Sequence, residues 1–261
     1  MTYRFLKGHG TENDFVLLPD PDGSVHGDLS AERVRALCDR RSGIGGDGVL
    51  RAVRQGGRWF MDYRNADGSI SEMCGNGIRV FARYLLEHEG ESSPLEVDSR
   101  DGVKTITREG DAFTVDMGSP QVFEKTLVGV DGVSHPALHV STGNPHAVAF
   151  VDSLDAAGTL LEEPDVDRAI YPEGVNVEFV VRRGAHHVAM RVHERGSGET
   201  RSCGTGACAV MVASALADDA PRGTTYRVDV PGGSLEITWT EDDRMLMTGP
   251  AVLVAEGTTD L

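Results

Sequence analysis

Apolar and polar residues alternate over many short stretches of the chain, the pattern of β-strands with one buried face. The alternation is clearest at residues 58–63, 112–117 and 187–192. Glycine, proline, asparagine and aspartate separate these stretches and indicate turns. We expect further strands near residues 3–7, 14–18, 48–54, 94–98, 103–108, 146–151, 175–182, 225–230, 234–240 and 251–255.

Three stretches instead carry apolar residues at the three- and four-residue spacing of a helix. The first follows Ser30, whose side chain suits an N-cap, and the second spans residues 76–88. The third, residues 205–217, has almost no polar face, so we expect it at the centre of a unit with sheet wrapped around it. Many strands with few helices predict an α+β fold.

The motif Cys-Gly-x-Gly occurs twice, at residues 74–77 and again 129 residues later at 203–206. A strand-like stretch precedes each copy, and Asn65 and Glu194 each lie nine residues before their cysteine. A repeat of this length predicts two similar half-domains related by a pseudo-twofold axis, each mostly antiparallel sheet around a central helix. We place them at residues 1–119 and 120–261, and leave open whether the strand at 250–255 returns to the first half.

Both cysteines of the repeat precede a predicted helix. There, unpaired N–H groups and the positive end of the helix dipole favour the thiolate, and the glycines let a carboxylate approach the backbone. A single Cys-Gly would more simply be a small buried cysteine in a loop, but two copies in register favour chemistry. Two thiols facing each other across a cleft suit inversion of a stereocentre, one as base and one as acid.

Composition narrows the function further. The 261 residues include 25 Lys and Arg against 41 Asp and Glu, a net charge of −16 that argues against a nucleic-acid partner. No signal-peptide pattern and no apolar run of about 18 residues is found, so we expect a cytoplasmic protein without a membrane partner. The four cysteines form no C-x-x-C pair and are expected to stay reduced.

Two weaker motifs have simpler interpretations. Residues 43–48 read G-x-G-x-x-G but follow a polar run rather than a strand, which indicates a tight turn and not a dinucleotide site. His186, His187 and His193 lie near one strand without a carboxylate placed between them, so we expect no metal site. The acidic stretch at 162–167 is expected to be a solvated loop.

Longer motifs around both cysteines resemble the signatures of the diaminopimelate epimerase family. They comprise Asn65-Ala66-Asp67-Gly68-Ser69 with residues 74–79, and Glu194-Arg195-Gly196 with residues 198–206. Further blocks that look like this family lie at residues 7–15, 143–146, 174–178 and 248–251, so the resemblance covers essentially the whole chain. One departure is Gly48, where many relatives carry glutamine, and we therefore assign residues 43–48 no substrate role.

The resemblance implies an isomerase that interconverts LL- and meso-2,6-diaminopimelate, in lysine and peptidoglycan precursor biosynthesis, with no cofactor and no metal. It implies that Cys74 and Cys203 are the catalytic acid–base pair, and that His146 and Glu194 support the thiols or hold the reacting amine. By analogy with the family we expect a homodimer. The implied substrate-binding residues are Asn13, Asn65, Gly75, Asn76, Asn144, Asn176, Glu194, Arg195, Gly204 and Thr205.

Two other functions compete with this interpretation. A proline or hydroxyproline racemase of the same architecture would also use paired cysteines, but Arg195 and the asparagines suit a substrate with a second charged end. A non-catalytic amino-acid-binding protein would need neither thiol. Optical activity measured with LL-diaminopimelate and with L-proline distinguishes the three.

Overall fold

The computed structural model describes residues 2–261 and contains eighteen strands, three α-helices and one 3-10 turn at Leu154–Ala157. The helices are α1 (Ala31–Cys38), α2 (Gly75–His88) and α3 (Gly204–Ala217). The strands are β1 (Tyr3–Gly10), β2 (Asn13–Pro19), β3 (Gly48–Gln55), β4 (Arg58–Asn65), β5 (Leu95–Ser99), β6 (Gly102–Glu109), β7 (Ala112–Asp116), β8 (Gln121–Val130), β9 (Val133–Ser141), β10 (Pro145–Phe150), β11 (Asp165–Val166), β12 (Asn176–Gly184), β13 (His187–Glu194), β14 (Gly198–Thr200), β15 (Thr225–Val230), β16 (Gly233–Trp239), β17 (Met245–Pro250) and β18 (Val252–Thr259).

The chain forms two compact units. The first contains the chain up to Val115 together with Gly249–Leu261, and the second comprises Asp116–Thr248. These units depart from the predicted halves, 1–119 and 120–261, chiefly at the C terminus. There β18 pairs antiparallel with β1, so residues 252–259 complete the sheet of the first unit.

The two units have the same strand order. In the first, the neighbours run β18-β1-β2-β3-β4-β5-β6-β7, with parallel pairs only at β2–β3 and β4–β5. In the second they run β8-β9-β10-β12-β13-β15-β16-β17, with parallel pairs only at β10–β12 and β13–β15. The internal repeat predicted from the two cysteine motifs is therefore a repeat of the whole sheet, and β18 takes the place in the first unit that β8 takes in the second.

Each unit places one long helix against its sheet. Helix α2 contacts β1–β4 and β18, and α3 contacts β9, β10, β12, β13, β15 and β16. Nearly every residue of α3 up to Ala215 is buried, as expected for a helix without a polar face. No helix within residues 2–261 is long and apolar enough to cross a membrane.

The mostly-sheet α+β architecture and all three helices were predicted correctly. Ser30 caps α1 by accepting a hydrogen bond from the Arg33 N–H. Strands β8, β9, β14 and β17 were not predicted, and the acidic stretch at 162–167 is not wholly a loop. Its residues Asp165 and Val166 form β11, which pairs with β8 because a short extended segment can add to an open sheet edge.

Candidate active site

The first unit holds Cys74 directly before α2. The Cys74 sulfur accepts a hydrogen bond from the Gly77 N–H at 3.5 Å, so the thiol side chain is the N-cap of this helix. Gly75 and Asn76 form the first turn, and both are buried. The N–H groups of a first helical turn lack intrahelical partners and point toward an approaching anion. This end of α2 is therefore suited to a carboxylate next to a thiol.

Asn13 lies at the start of β2 and links the thiol to the helix. The Cys74 thiol donates to Asn13 Oδ1 at 3.6 Å, and Asn76 Nδ2 donates to the same oxygen at 3.2 Å. Arg79, fully buried one turn further along α2, donates to Asn76 Oδ1 at 2.9 Å. The structure thus brings together three of the predicted residues, Cys74, Asn13 and Asn76.

Asn65 ends β4 and is held by a different partner. Its Nδ2 donates to Ser69 Oγ at 3.0 Å, across a turn that has Gly68 at a φ of 89°. Opposite it in the sheet lies Gly48, the position where glutamine was expected. A Cβ on Gly48 would lie 2.6 Å from the Arg64 carbonyl oxygen and 2.7 Å from Tyr63 Cε2. The glycine is therefore required by the close approach of β3 and β4.

The second unit repeats the thiol cap at α3. The Cys203 sulfur accepts a hydrogen bond from the Gly206 N–H at 3.3 Å and lies 3.4 Å from Thr205 Oγ1. Gly204 is the first residue of the helix, and Cys203 directly precedes it. Cys203 is 5% exposed, less than Cys74. Burial raises the pKa of Cys203 well above its usual value, and the charges of Glu194 and Glu178 raise it further. At neutral pH this favours the protonated thiol.

Glu194, the last residue of β13, is a carboxylate in contact with the Cys203 thiol. It accepts hydrogen bonds from the Cys203 thiol and from the Thr200 hydroxyl. Burial raises the pKa of Glu194, and the hydrogen bonds and the charge of His146 oppose that rise. A carboxylate with a raised pKa is a better proton acceptor than an exposed one. Glu194 can therefore hold the proton that Cys203 gives up.

His146 and Glu178 form a fully buried pair beside the same helix end. His146 Nδ1 lies 2.6 Å from Glu178 Oε1, and its Nε2 lies 2.9 Å from Asn144 Oδ1. Each ring nitrogen of His146 therefore has an oxygen partner, which fixes the orientation of the ring. A Cβ at Gly206 would lie 2.6 Å from Glu178 Oε1, so the glycine of the motif leaves room for this carboxylate.

Asn176 begins β12, and Arg195 lies in the turn directly after β13 in the same unit. Asn176 Nδ2 donates to the Pro145 carbonyl at 3.3 Å, and its Oδ1 accepts from the Arg195 N–H at 2.9 Å. The Arg195 side chain is exposed and donates to the Glu173 carbonyl at 3.3 Å. Asn176 therefore fixes the backbone of Arg195, while the guanidinium stays accessible to a negatively charged group.

Three charged side chains that contact these groups were not among the predicted site residues, namely Glu178, Arg79 and Asp47. Glu178 could have been found, because it is a carboxylate two positions after Asn176 and stands within the apolar part of β12. A buried carboxylate needs a partner, and the partner is His146. Asp47 lies in the loop to which we assigned no substrate role, and its Oδ2 accepts from Asn13 Nδ2 at 2.7 Å.

A sequence profile described as diaminopimelate epimerase matches residues 5–123 and 138–254. The chain is 56% identical to the diaminopimelate epimerase of Streptomyces coelicolor, over 98% of this chain and 95% of that protein. It is 46% identical to the diaminopimelate epimerase of Rhodococcus jostii, over 98% of this chain and 96% of that protein.

Solved structures with similar folds are much more distant in sequence. A phenazine biosynthesis protein of the PhzF family from Bacillus anthracis aligns over the full length of both chains with a TM-score of 0.74 and 17% identity. A hydroxyproline epimerase from Agrobacterium vitis aligns over 100% of this chain and 93% of its own, with a TM-score of 0.69 and 14% identity. At these identities the likeness concerns the fold alone.

Proposed function

Because the chain belongs to the diaminopimelate epimerase family, we propose that it interconverts LL- and meso-2,6-diaminopimelate with Cys74 and Cys203 as the two acid–base groups. The observation that carries this proposal is the repeated thiol cap, in which each unit presents one cysteine at the N-terminus of a long helix. Lysine and peptidoglycan precursor biosynthesis is the route to which the family resemblance assigns this reaction.

The proposed reaction moves one proton on each side of the α carbon. One thiolate removes the α proton from one face, and the other thiol delivers a proton to the opposite face. The charge that develops on the carboxylate is stabilised by N–H groups of the first turns of α2 and α3, at Gly75, Asn76, Gly204 and Thr205. Glu194 holds the proton released from Cys203, and no cofactor is needed as an electron sink.

Exchange with deuterated solvent tests this reaction directly. In D2O, LL-diaminopimelate is expected to yield meso product with deuterium at the inverted carbon, while recovered LL substrate carries almost none early in the reaction. The proton removed stays on the first thiol, and the second thiol donates one drawn from solvent. Starting from the meso compound is expected to give the mirror result, measured by mass spectrometry.

Early deuterium in substrate and product alike would contradict the two-thiol reaction, because a single base returns solvent protons to either face. An unchanged LL-diaminopimelate sample would contradict the proposed substrate. L-Proline serves as the matched control, and its racemisation in place of diaminopimelate epimerisation would favour the proline racemase alternative.

Arg195 is proposed to bind the distal carboxylate of the substrate, with Asn144 and Asn176 orienting its polar groups. Changing Arg195→Lys keeps the charge but loses the planar pair of N–H donors that grips a carboxylate. We expect KM for diaminopimelate to rise by about tenfold with a smaller change in kcat, as for a loss of roughly 1.4 kcal/mol of binding.

Arg191→Lys is the matched control for this change. Arg191 lies in β13, four residues before Arg195, but its guanidinium is paired with Glu199 at 2.6 Å and donates to the carbonyls of Leu154 and Gly158. Its KM is expected to stay near that of the unmodified protein. An equal rise in KM for both variants would assign the distal carboxylate to another residue.

We also propose a homodimer that works in the cytoplasm. The membership of the diaminopimelate epimerase family supports both statements. Light scattering coupled to size-exclusion chromatography measures the mass of the assembly in solution.

A further inference from the structure

The loop at residues 43–48 reaches the proposed site through Asp47. Its Oδ2 accepts hydrogen bonds from Asn13 Nδ2 at 2.7 Å and from the Asp14 N–H at 3.2 Å. Its Oδ1 accepts from Arg40 Nη2 at 2.8 Å. The loop is itself fixed, because the Asp47 N–H donates to the Asp14 carbonyl at 2.7 Å and the Asp47 carbonyl accepts from the Ala66 N–H at 3.0 Å.

These contacts determine which way the Asn13 amide faces. Burial and the charge of Asp14 raise the pKa of Asp47, and the hydrogen bonds from Asn13 and Asp14 and the charge of Arg40 oppose that rise. These three donors favour the ionised carboxylate, which only accepts hydrogen bonds. The NH2 group of Asn13 must therefore face Asp47. Its oxygen is then turned to the opposite side, toward the Cys74 sulfur and Asn76 Nδ2.

A second chain of contacts imposes the same orientation from the helix. The guanidinium of Arg79 only donates, so the oxygen of Asn76 faces Arg79 and its NH2 group faces Asn13. The orientation of the Asn13 amide is thus fixed from two sides. Asp47 accepts from its NH2 group, and Arg79, which can only donate, orients Asn76 so that Asn76 donates to the Asn13 oxygen. The Cys74 thiol donates to that same oxygen.

We propose that Asp47 is a positioning residue of the reaction, which turns the Asn13 oxygen toward Cys74 and so keeps a proton on that thiol. The Asn13 oxygen can accept a hydrogen bond from the Cys74 S–H but cannot donate one to the thiolate. The amide NH2 group in the same position would donate to the thiolate and favour it. The inference rests on the proposed acid–base role of Cys74 and deepens it. It also gives the loop a role that does not depend on the glutamine absent at position 48.

Other charged groups lie near these hydrogen-bonded residues, and the effect of their charge on the Cys74 thiol must be distinguished from the effect of the Asn13 orientation. Lys7 and Arg40 pair with Asp14 at 2.6 Å, next to Asp47, and Arg79 lies behind Asn76. Asp14 therefore offers a matched control, because its carboxylate belongs to the same charged group but does not contact the Asn13 side chain. Removing either aspartate removes one negative charge, and only Asp47 holds the amide.

The test follows the pH dependence of Cys74 alkylation by iodoacetamide, read by peptide mass spectrometry, so that it needs no turnover. In Asp47→Ala the Asn13 amide is free to turn, and we expect the pH midpoint of Cys74 alkylation to fall by about one unit, a tenfold change in the thiolate equilibrium. Asp47→Asn, which loses the charge but keeps an acceptor oxygen, is expected to stay near the unmodified protein, as is Asp14→Ala. Cys203, in the other unit, is expected to keep its midpoint in all three variants.

An equal fall in Asp47→Asn or in Asp14→Ala would assign the effect to charge alone and overturn the inference, as would an unchanged midpoint in Asp47→Ala. Should Asp47→Ala fail to fold, Asn13→Ala removes the acceptor oxygen from beside the sulfur and leaves room for water, and a fall in the Cys74 midpoint is again expected. A wild-type protein that leaves LL-diaminopimelate unchanged would contradict the proposed function but not these midpoints, so the two failures are distinguishable.

Discussion

Replacing Cys203 with alanine is expected to lower kcat for epimerisation by about 10³-fold or more, because a positioned acid or base contributes roughly 10²–10⁴-fold. The variant leaves one face of the α carbon without a proton carrier. It is expected to fold, since alanine removes only the sulfur from a residue before the first turn of α3. Initial rates with LL- and with meso-diaminopimelate, together with circular dichroism, measure both effects.

The chain offers a matched control five residues further along the same helix. Cys208 is fully buried in the apolar interior, and Cys208→Ala is expected to cost about 1 kcal/mol of stability with kcat nearly unchanged. Cys74→Ala and Cys38→Ala form the same comparison in the first unit, where burial raises the pKa of Cys38 to about 11 and leaves it unreactive. Loss of turnover in a folded Cys208→Ala protein, with Cys203→Ala still active, would refute the assignment.

Glu178→Leu is expected to have the largest effect on stability, a loss of about 3 kcal/mol, because a buried polar group left without its partner costs roughly 1–3 kcal/mol and more when a charged group is involved. The partner, His146, is fully buried and would keep an unpaired Nδ1. The charge of Glu178 also raises the pKa of Cys203. Since a neighbouring negative charge disfavours the thiolate, its removal should lower this pKa, and Cys203 should be alkylated at lower pH.

Two further variants separate the hydrogen bond from the charge. Glu178→Gln keeps an oxygen for His146 Nδ1, so we expect it to recover much of the stability while still lowering the pKa of Cys203. Glu199→Gln removes a carboxylate from a partly exposed pair with Arg191 and is expected to cost at most about 1 kcal/mol. Urea unfolding curves give the stabilities, and equal losses for Glu178→Leu and Glu199→Gln would contradict the importance of the buried pair.

Much of the fold could be predicted because buried faces leave a pattern in the sequence. Helix α3 was found because all its faces are apolar. The strands beside it were found because apolar residues on their buried face alternate with polar residues on the other face. Strand β8 left no such pattern, since Gln121–Lys125 are all exposed, and Pro136 within β9 argued against a strand. Their hydrogen bonds to each other, and those of β9 to β10, identify them as strands.

The two repeated motifs predicted the cysteines of the site, and the family resemblance added residues far from these motifs, such as Asn13 and His146. Sequence repetition located Cys74 and Cys203, and both are thiol caps of their helices. It could not show that Asp47 turns the Asn13 amide or that Glu178 pairs with His146, because these contacts join residues on different strands and loops. Only the register of neighbouring strands, such as His146 opposite Asn176, brings them within reach.

The pairing of β18 with β1 has a consequence for the order in which the protein folds during synthesis. All strands of the second unit end by residue 250, so its sheet can form as soon as the chain up to there has left the ribosome. The first unit begins earlier but lacks the partner of β1 until residues 252–259 have been made. Contacts between such distant parts of a chain form slowly because a long loop must close first. The half of the protein that is synthesised first is therefore the half that is completed last.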